Sequence, residues 1–198
     1  MWNYEKRLQY PVKITQPNAK IAQVIMSQYG GPDGEMGASL RYLSQRYSMT
    51  NRKVAGLLTD IGTEELAHLE IVASIVRQLT KGLSAKQLED AGFAPYYIDH
   101  TAAIWPQAAG GIPFNACEFQ SKGDPITDLT EDLAAEQKAR TTYDNILRLV
   151  KDQEVCDPIR FLREREIVHF QRFGEGLRMI QEDLDSKNFY AFNPDFDM

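Results

Sequence analysis

The chain has 198 residues, 43% of them hydrophobic and 25% charged, with a formal net charge of −6 and a pI near 5.1. This length and composition are typical of one soluble globular domain, so residues 1–198 are expected to form a single domain. The acidic balance argues against nucleic acid or anionic membranes as partners, and the absence of a long apolar run or a secretory signal predicts a protein made in the cytoplasm.

The first predicted element is a helical hairpin over about 18–80. A helical pattern over 18–29 is interrupted by a glycine- and proline-rich segment, 30–34. Asp33 is expected to cap the helix that follows, although the pattern leaves open whether this region is one kinked helix or two. The second helix of the hairpin is predicted over about 51–79, because its apolar residues recur with helical spacing.

A long crossover, 81–127, follows, and its many glycines and prolines allow only short helical pieces. The second hairpin is predicted over about 128–184, with one helix at 128–151 and another that begins at the Asp157-Pro158 pair. The tail, 185–198, has no periodicity. Two helical hairpins joined by one long crossover predict an all-α, ferritin-like four-helix bundle.

Two of the three histidines lie three residues after a glutamate, in Glu65-Leu66-Ala67-His68 and Glu166-Ile167-Val168-His169. On a helix these positions share one face, roughly 5–6 Å apart at Cβ, so a carboxylate and an imidazole can reach the same metal ion. A single pair of this kind would be weak support, because surface helices often place Glu and His one turn apart. Two pairs indicate a metal site.

The two hairpins also repeat one spacing. Glu35 precedes Glu65 by 30 residues, and Glu136 precedes Glu166 by 30; Tyr42 and Tyr143 each follow the first glutamate of their half by seven. Such a repeat builds a site of approximate two-fold symmetry. The alternative, two solvated helix faces, gives no reason for the paired spacing. Core-facing glutamates need partners, and two divalent cations would supply them.

Four segments carry a family resemblance: KRLQYPV, GGPDGEMGASLRYLSQRY, LLTDIGTEELAHLEIV and FLREREIVHFQRF. Together they resemble the manganese catalases, and within that family the catalase-like spore coat proteins of the CotJC type. The resemblance covers nearly the whole chain. It implies a pair of manganese ions that disproportionates hydrogen peroxide to water and oxygen.

Carried over by position, the resemblance places Glu35 and His68 on one manganese and Glu136 and His169 on the other. Glu65 would bridge the two ions.

The resemblance also implies two catalytic residues. Glu166 would lie beside the ions as a proton-transfer group, whereas the repeat alone makes it a ligand equivalent to Glu65. Tyr42 matches a tyrosine that hydrogen-bonds near the metals. Some family members carry an arginine where this chain has Ala135, and larger members have a C-terminal extension that is absent here, which leaves peroxide turnover and assembly open.

Two other functions remain open at this point. Carboxylates and imidazoles also bind iron, so a di-iron oxidase or peroxidase of the rubrerythrin kind is the alternative enzyme, although no cysteine-rich iron site is present. The other alternative is a structural coat protein with a slow or inactive metal site. The resemblance further implies a homohexamer located in the spore coat, with other coat proteins as partners.

The remaining candidate residues are two cysteines, one histidine and two arginines. Cys117 and Cys156 form no CxxC pattern and are expected to be reduced structural thiols. His100 is expected to be a hydrogen-bonded loop residue rather than a third histidine ligand. Arg140 and Arg163 are equally compatible with charge partners of the site and with surface positions.

Overall fold

The computed structural model describes residues 4–93, 103–118 and 120–187; the tail from residue 188 and His100 lie outside this part of the chain. Its helices, in chain order, are α1 (Ala19–Ile25), α2 (Ser27–Gly30), α3 (Glu35–Gln45), α4 (Arg52–Thr80), α5 (Ala85–Asp90), α6 (Pro125–Leu149) and α7 (Gln153–Lys187). A short 3-10 turn, Ala116–Glu118, lies in the crossover. No β-strand occurs in the described ranges, and none of their helices is long and apolar enough to cross a membrane.

The predicted bundle is confirmed, with α3 packed on α4 and α6 packed on α7. The two hairpins meet mainly where α4 contacts α7. Helix α4 begins after Asn51, whose side chain accepts hydrogen bonds from Lys53 N (3.0 Å) and Val54 N (3.3 Å). It ends at Lys81, and the following Gly82 adopts a positive φ of 79°, which is the expected way for a helix to stop.

Three predicted helix starts were wrong. Gly34, not Asp33, is the N-cap of α3 and offers no side-chain hydrogen bond, while Asp33 lies 3.3 Å from Lys138 Nζ. Helix α6 begins earlier than predicted, because Asp124 accepts a hydrogen bond from Thr127 N at 2.7 Å. Helix α7 also begins earlier, after Asp152, and Pro158 lies inside it.

The buried apolar residues form two clusters with the polar site residues between them. Along α4, Leu58 and Ile61 belong to one cluster and Ile71 to the other. Along α7 the order is reversed, with Leu162 in the second cluster and Phe173 in the first. The turns of α4 and α7 between these positions carry the two Glu/His pairs, so the apolar core closes the site at both ends.

The crossover is anchored where the first hairpin breaks. A Cβ on Gly30 would lie 2.4 Å from Gln107 N, so only glycine permits this contact. Nearby, Ala108 N donates to Ile112 O (2.8 Å) and Phe114 N to Pro106 O (3.1 Å), which forms a small turn. The crossover therefore packs against the end of α2, and Phe114 also reaches α3, where a Cβ on Gly37 would lie 3.8 Å from Phe114 Cε2.

Candidate metal centre

All six residues predicted to form the metal centre are buried and come from four helices. Each is at most 2% exposed: Glu35 on α3, Glu65 and His68 on α4, Glu136 on α6, and Glu166 and His169 on α7. Burying an unpaired carboxylate costs several kcal/mol. Four carboxylates and two imidazoles in one apolar bundle therefore require compensating charge.

Glu65 lies between the two histidines. Its Oε2 is 2.6 Å from His68 Nδ1, and its Oε1 is 2.8 Å from His169 Nδ1. The two imidazole rings are nearly parallel, with centroids 5.4 Å apart and an interplanar angle of 21°. One carboxylate thus faces the Nδ1 atoms of both halves of the repeat.

A potential metal-binding group follows from this arrangement. Ligand atoms of Glu65, His68, Glu166 and His169 all lie within 4.8 Å of one another. The remaining two glutamates are close by, since Glu35 Oε2 is 3.8 Å from His68 Nδ1 and Glu136 Oε2 is 3.5 Å from His169 Nδ1. Each histidine therefore has its own glutamate from the neighbouring helix.

The two tyrosines of the repeat exchange partners between the halves. Tyr42 OH, on α3, donates to Glu136 Oε1 on α6, and Tyr143 OH, on α6, donates to Glu35 Oε1 on α3. Both tyrosines are fully buried. Each therefore orients the glutamate of the opposite hairpin and leaves that carboxylate's second oxygen for another partner. Sequence spacing indicated the tyrosines but not this exchange.

Several inward-facing atoms lack hydrogen bonds. These include His169 Nδ1, Glu65 Oε1, Glu136 Oε2 and Glu166 Oε1. His169 Nδ1 and Glu65 Oε1 are only 2.8 Å apart, yet neither forms a hydrogen bond. Lone pairs that converge without donors are what a bound cation requires, and the imidazole and carboxylate set suits manganese or iron. The residues present thus fit a divalent metal pair.

In the metal-free protein, burial and neighbouring charges together set the pKa values of the site residues. Burial lowers the pKa of His68, but the charge of Glu65, the nearby Glu64 carboxylate and the hydrogen bond to Glu65 outweigh it and raise the pKa to about 9. The same balance raises the pKa of His169 to about 12. Burial and the neighbouring Glu136 charge raise the pKa of Glu166 above its ordinary range.

The two ExxH glutamates therefore differ. Although burial alone would raise it, the charges of His169 and His68 lower the pKa of Glu65, whereas the pKa of Glu166 is raised. The symmetric sequence repeat gives these residues equal roles, but their surroundings are unequal.

Glu64 is a site neighbour that the sequence reasoning missed. Its Oε2 is 3.0 Å from His169 Nε2, and its Oε1 is 3.7 Å from His68 Nε2. Arg165 Nε also lies 2.8 Å from Oε1. Adjacent glutamates are common on helix faces, so the pair at 64 and 65 gave no separate signal.

Other candidates lie away from the centre. Arg140 and Arg163 both pair with Asp144 on the flank of α6 rather than with a site carboxylate. Cys156 is buried and its Sγ donates to Val150 O at 3.4 Å, while Cys117 is exposed. Ala135, next to Glu136, is buried.

The fold and the site define a class: ferritin-like bundles with a buried carboxylate–histidine centre. The chain belongs to the manganese catalase family, because the family profile described as "Manganese containing catalase" matches residues 1–189.

Named relatives agree with this assignment. The chain is 51% identical to "Protein CotJC" of Bacillus subtilis, over 96% of this chain and all of that protein. It is 31% identical to a "Probable manganese catalase" of Clostridium acetobutylicum, over 96% of this chain and 85% of that protein. The crystal structure of KatB, a manganese catalase from Anabaena, superposes with a TM-score of 0.84 at 29% identity, covering 91% of this chain and 81% of that chain.

Proposed function

We propose that this protein is a dimanganese catalase, which converts two molecules of hydrogen peroxide into two of water and one of oxygen. Glu35 and His68 would hold one manganese ion, Glu136 and His169 would hold the other, and Glu65 would serve both. Glu166 and Tyr42 serve the reaction without binding metal. Family membership supports the metal and the substrate.

One observation carries the proposal: Glu65 presents one oxygen to each imidazole, at 2.6 and 2.8 Å. A carboxylate between two imidazoles can bind two metal ions at once, whereas a structural ion pair would need only one histidine. The unpartnered atoms of Glu136 and Glu166 lie in the same cluster, and the four helices supply ligands from both halves of the repeat.

A manganese pair that cycles between the +2 and +3 states supplies the two electrons of each half-reaction. The protein's own residues must handle protons. Burial and the neighbouring Glu136 charge raise the pKa of Glu166, which favours a protonated carboxyl group, and its Oε1 has no competing hydrogen bond. A carboxyl group of this kind can give a proton to an oxygen atom as the O–O bond breaks. The tyrosines keep Glu136 and Glu35 oriented.

Metal analysis and an oxygen electrode test the proposal together. Protein produced with both manganese and iron supplied is expected to contain two manganese ions per subunit and to evolve oxygen from peroxide. Iron in place of manganese would favour the rubrerythrin-like alternative. Two bound manganese ions without oxygen evolution would reject catalase activity and favour the structural coat protein.

Location and assembly are part of the proposal. We place the protein in the spore coat after its synthesis in the cytoplasm, as a homohexamer that contacts other coat proteins; the 51% identity to CotJC supports this placement. A fluorescent fusion in sporulating cells should form a ring around the spore, and light scattering should give six times the subunit mass of 22.5 kDa. A diffuse fusion or a monomer would reject the corresponding part.

A further inference from the structure

Glu64 lies on the outer side of the two imidazoles, opposite Glu65. In α4 it precedes His68 by four residues, whereas Glu65 precedes it by three, so the two carboxylates approach different nitrogens of the same ring. Glu65 faces the Nδ1 atoms. Glu64 faces the Nε2 atoms, at 3.0 Å from His169 and 3.7 Å from His68. His68 Nε2 is fully buried and has no hydrogen bond.

Glu64 is itself held from two sides. Arg165, on α7, approaches both of its oxygens, with Nε 2.8 Å from Oε1 and Nη2 3.1 Å from Oε2. Gln9, in the N-terminal arm, donates from Nε2 to Oε1 at 2.7 Å. The carboxylate is 16% exposed, and it lines a groove between the arm and α4. These contacts fix its position relative to both hairpins.

An imidazole that donates Nε2–H to a carboxylate keeps its proton on that nitrogen and leaves the Nδ1 lone pair for a metal. We propose that Glu64 is a positioning residue that holds the His169 imidazole through Nε2, lies 3.7 Å from Nε2 of His68, and so orients the Nδ1 atoms of the two rings toward the metal pair. The inference rests on the proposed function, because it assumes that these histidines bind metal. Its asymmetry follows from the two distances: His169 depends on Glu64 more than His68 does.

Manganese affinity of the full-length protein tests this role independently of turnover. Glu64→Ala is expected to weaken Mn(II) binding by about 10- to 100-fold, the usual cost of losing a hydrogen-bond partner behind a metal-binding histidine. Glu64→Gln retains an oxygen that can accept from Nε2–H and should recover most of that loss. Glu70→Gln is the matched control. Glu70 also lies on α4 and also accepts a hydrogen bond from a residue of the N-terminal arm, Tyr4, and the Glu70→Gln variant should bind manganese as the wild type does.

Nitrogen-15 NMR of histidine-labelled protein loaded with Zn(II), a diamagnetic ion with the same ligand preferences here, reports on the rings directly. The Nε2–H signal of His169 should shift in both Glu64 variants, and by more than that of His68. If the alanine variant does not fold, the glutamine variant decides: an unshifted His169 signal overturns the proposal. Unchanged affinity in folded Glu64→Ala also overturns it, whereas a wild type that binds no manganese rejects the proposed function instead.

Discussion

The two ExxH glutamates show how much one residue's surroundings decide its role. Although burial alone would raise it, the charges of His169 and His68 lower the pKa of Glu65, while burial raises the pKa of Glu166. Their surroundings therefore favour the charged form of Glu65 and the protonated form of Glu166. A repeat in the sequence therefore does not imply a repeat in the chemistry.

Replacing Glu166 tests its proton-transfer role. Glu166→Gln is nearly isosteric but cannot exchange a proton, so we expect manganese content to be retained and oxygen evolution to fall by about 100-fold or more. Glu164→Gln is the control, since it makes the same change on the exposed face of α7. Full activity of Glu166→Gln would remove this residue from the mechanism.

Replacing Tyr42 and replacing Tyr143 are expected to lower the stability of the metal-free protein by similar amounts. Tyr42→Phe removes the donor to Glu136 and Tyr143→Phe the donor to Glu35, and leaving a buried carboxylate without its donor costs about 1–3 kcal/mol. Urea unfolding of the metal-free variants measures this free energy. Tyr47, which is 80% exposed, provides the control: Tyr47→Phe should be neutral, and a similar loss there would contradict the explanation.

The sequence predicted site residues where the pattern is local along the chain. Prediction failed where a contact depends on tertiary packing. Helical spacing brought together each Glu/His pair, and the repeat of 30 residues joined the halves. The exchange of tyrosines between hairpins depends on how α3 meets α6, and the contact of Glu64 with His169 depends on how α4 meets α7. No local spacing encodes either contact. Glu64 lacked any pattern that distinguishes it from a surface glutamate.

Among the elements, periodicity located the helices but capping rules misplaced several starts. Asp33 matched the preferred N-cap type, but Gly34 occupies that position because the chain turns tightly there: its Cβ would lie 2.9 Å from Ser27 O. Asp157-Pro158 resembled a cap and first turn, but Asp152 begins α7 one turn earlier. The helical periodicity of apolar residues along α7 outweighs the helix-breaking effect of Pro158, so the packing of α7 on its neighbours sets where it begins.

The contact of α3 with α4 depends on a glycine. A Cβ on Gly62 would lie 2.9 Å from Leu43 Cγ and 3.2 Å from Tyr42 Cβ, so Gly62→Ala must push the two helices apart. We expect a loss of about 1–3 kcal/mol in unfolding free energy, and a weaker Mn(II) affinity because Tyr42 orients Glu136. Thermal or urea unfolding and a metal titration measure both effects.

Gly56 offers the matched comparison, because it lies on the same helix with nothing within 4 Å of its Cβ position. Gly56→Ala should stabilise the protein by about 0.5–1 kcal/mol through reduced backbone freedom. Equal effects at both glycines would show that close packing at Gly62 is unimportant.

At the scale of the whole molecule, the bundle concentrates more negative charge than it can bury without cations. In the metal-free protein the two histidines supply positive charge by staying protonated, because their pKa values are raised to about 9 for His68 and about 12 for His169. Both values lie above the ordinary value of 6.5, so this stabilisation is complete below about pH 6.5; the His68 contribution is lost as the pH rises through about 9, and the His169 contribution only as it rises through about 12. The metal-free protein should therefore melt at lower temperatures in alkali.

Metal binding must then displace protons, because a manganese ligand needs an unprotonated Nδ1. We expect Mn(II) affinity to increase as the pH rises from roughly 6 to roughly 8.5, by at most about tenfold per pH unit for each proton released. Titration calorimetry at one pH in two buffers of different ionisation enthalpy counts those protons. Manganese should also raise the melting temperature most at the alkaline end, where the metal-free bundle is weakest. Binding that releases no protons, with an affinity independent of pH, would mean that His68 and His169 are either unprotonated in the empty centre or not bound to the metal in the filled one.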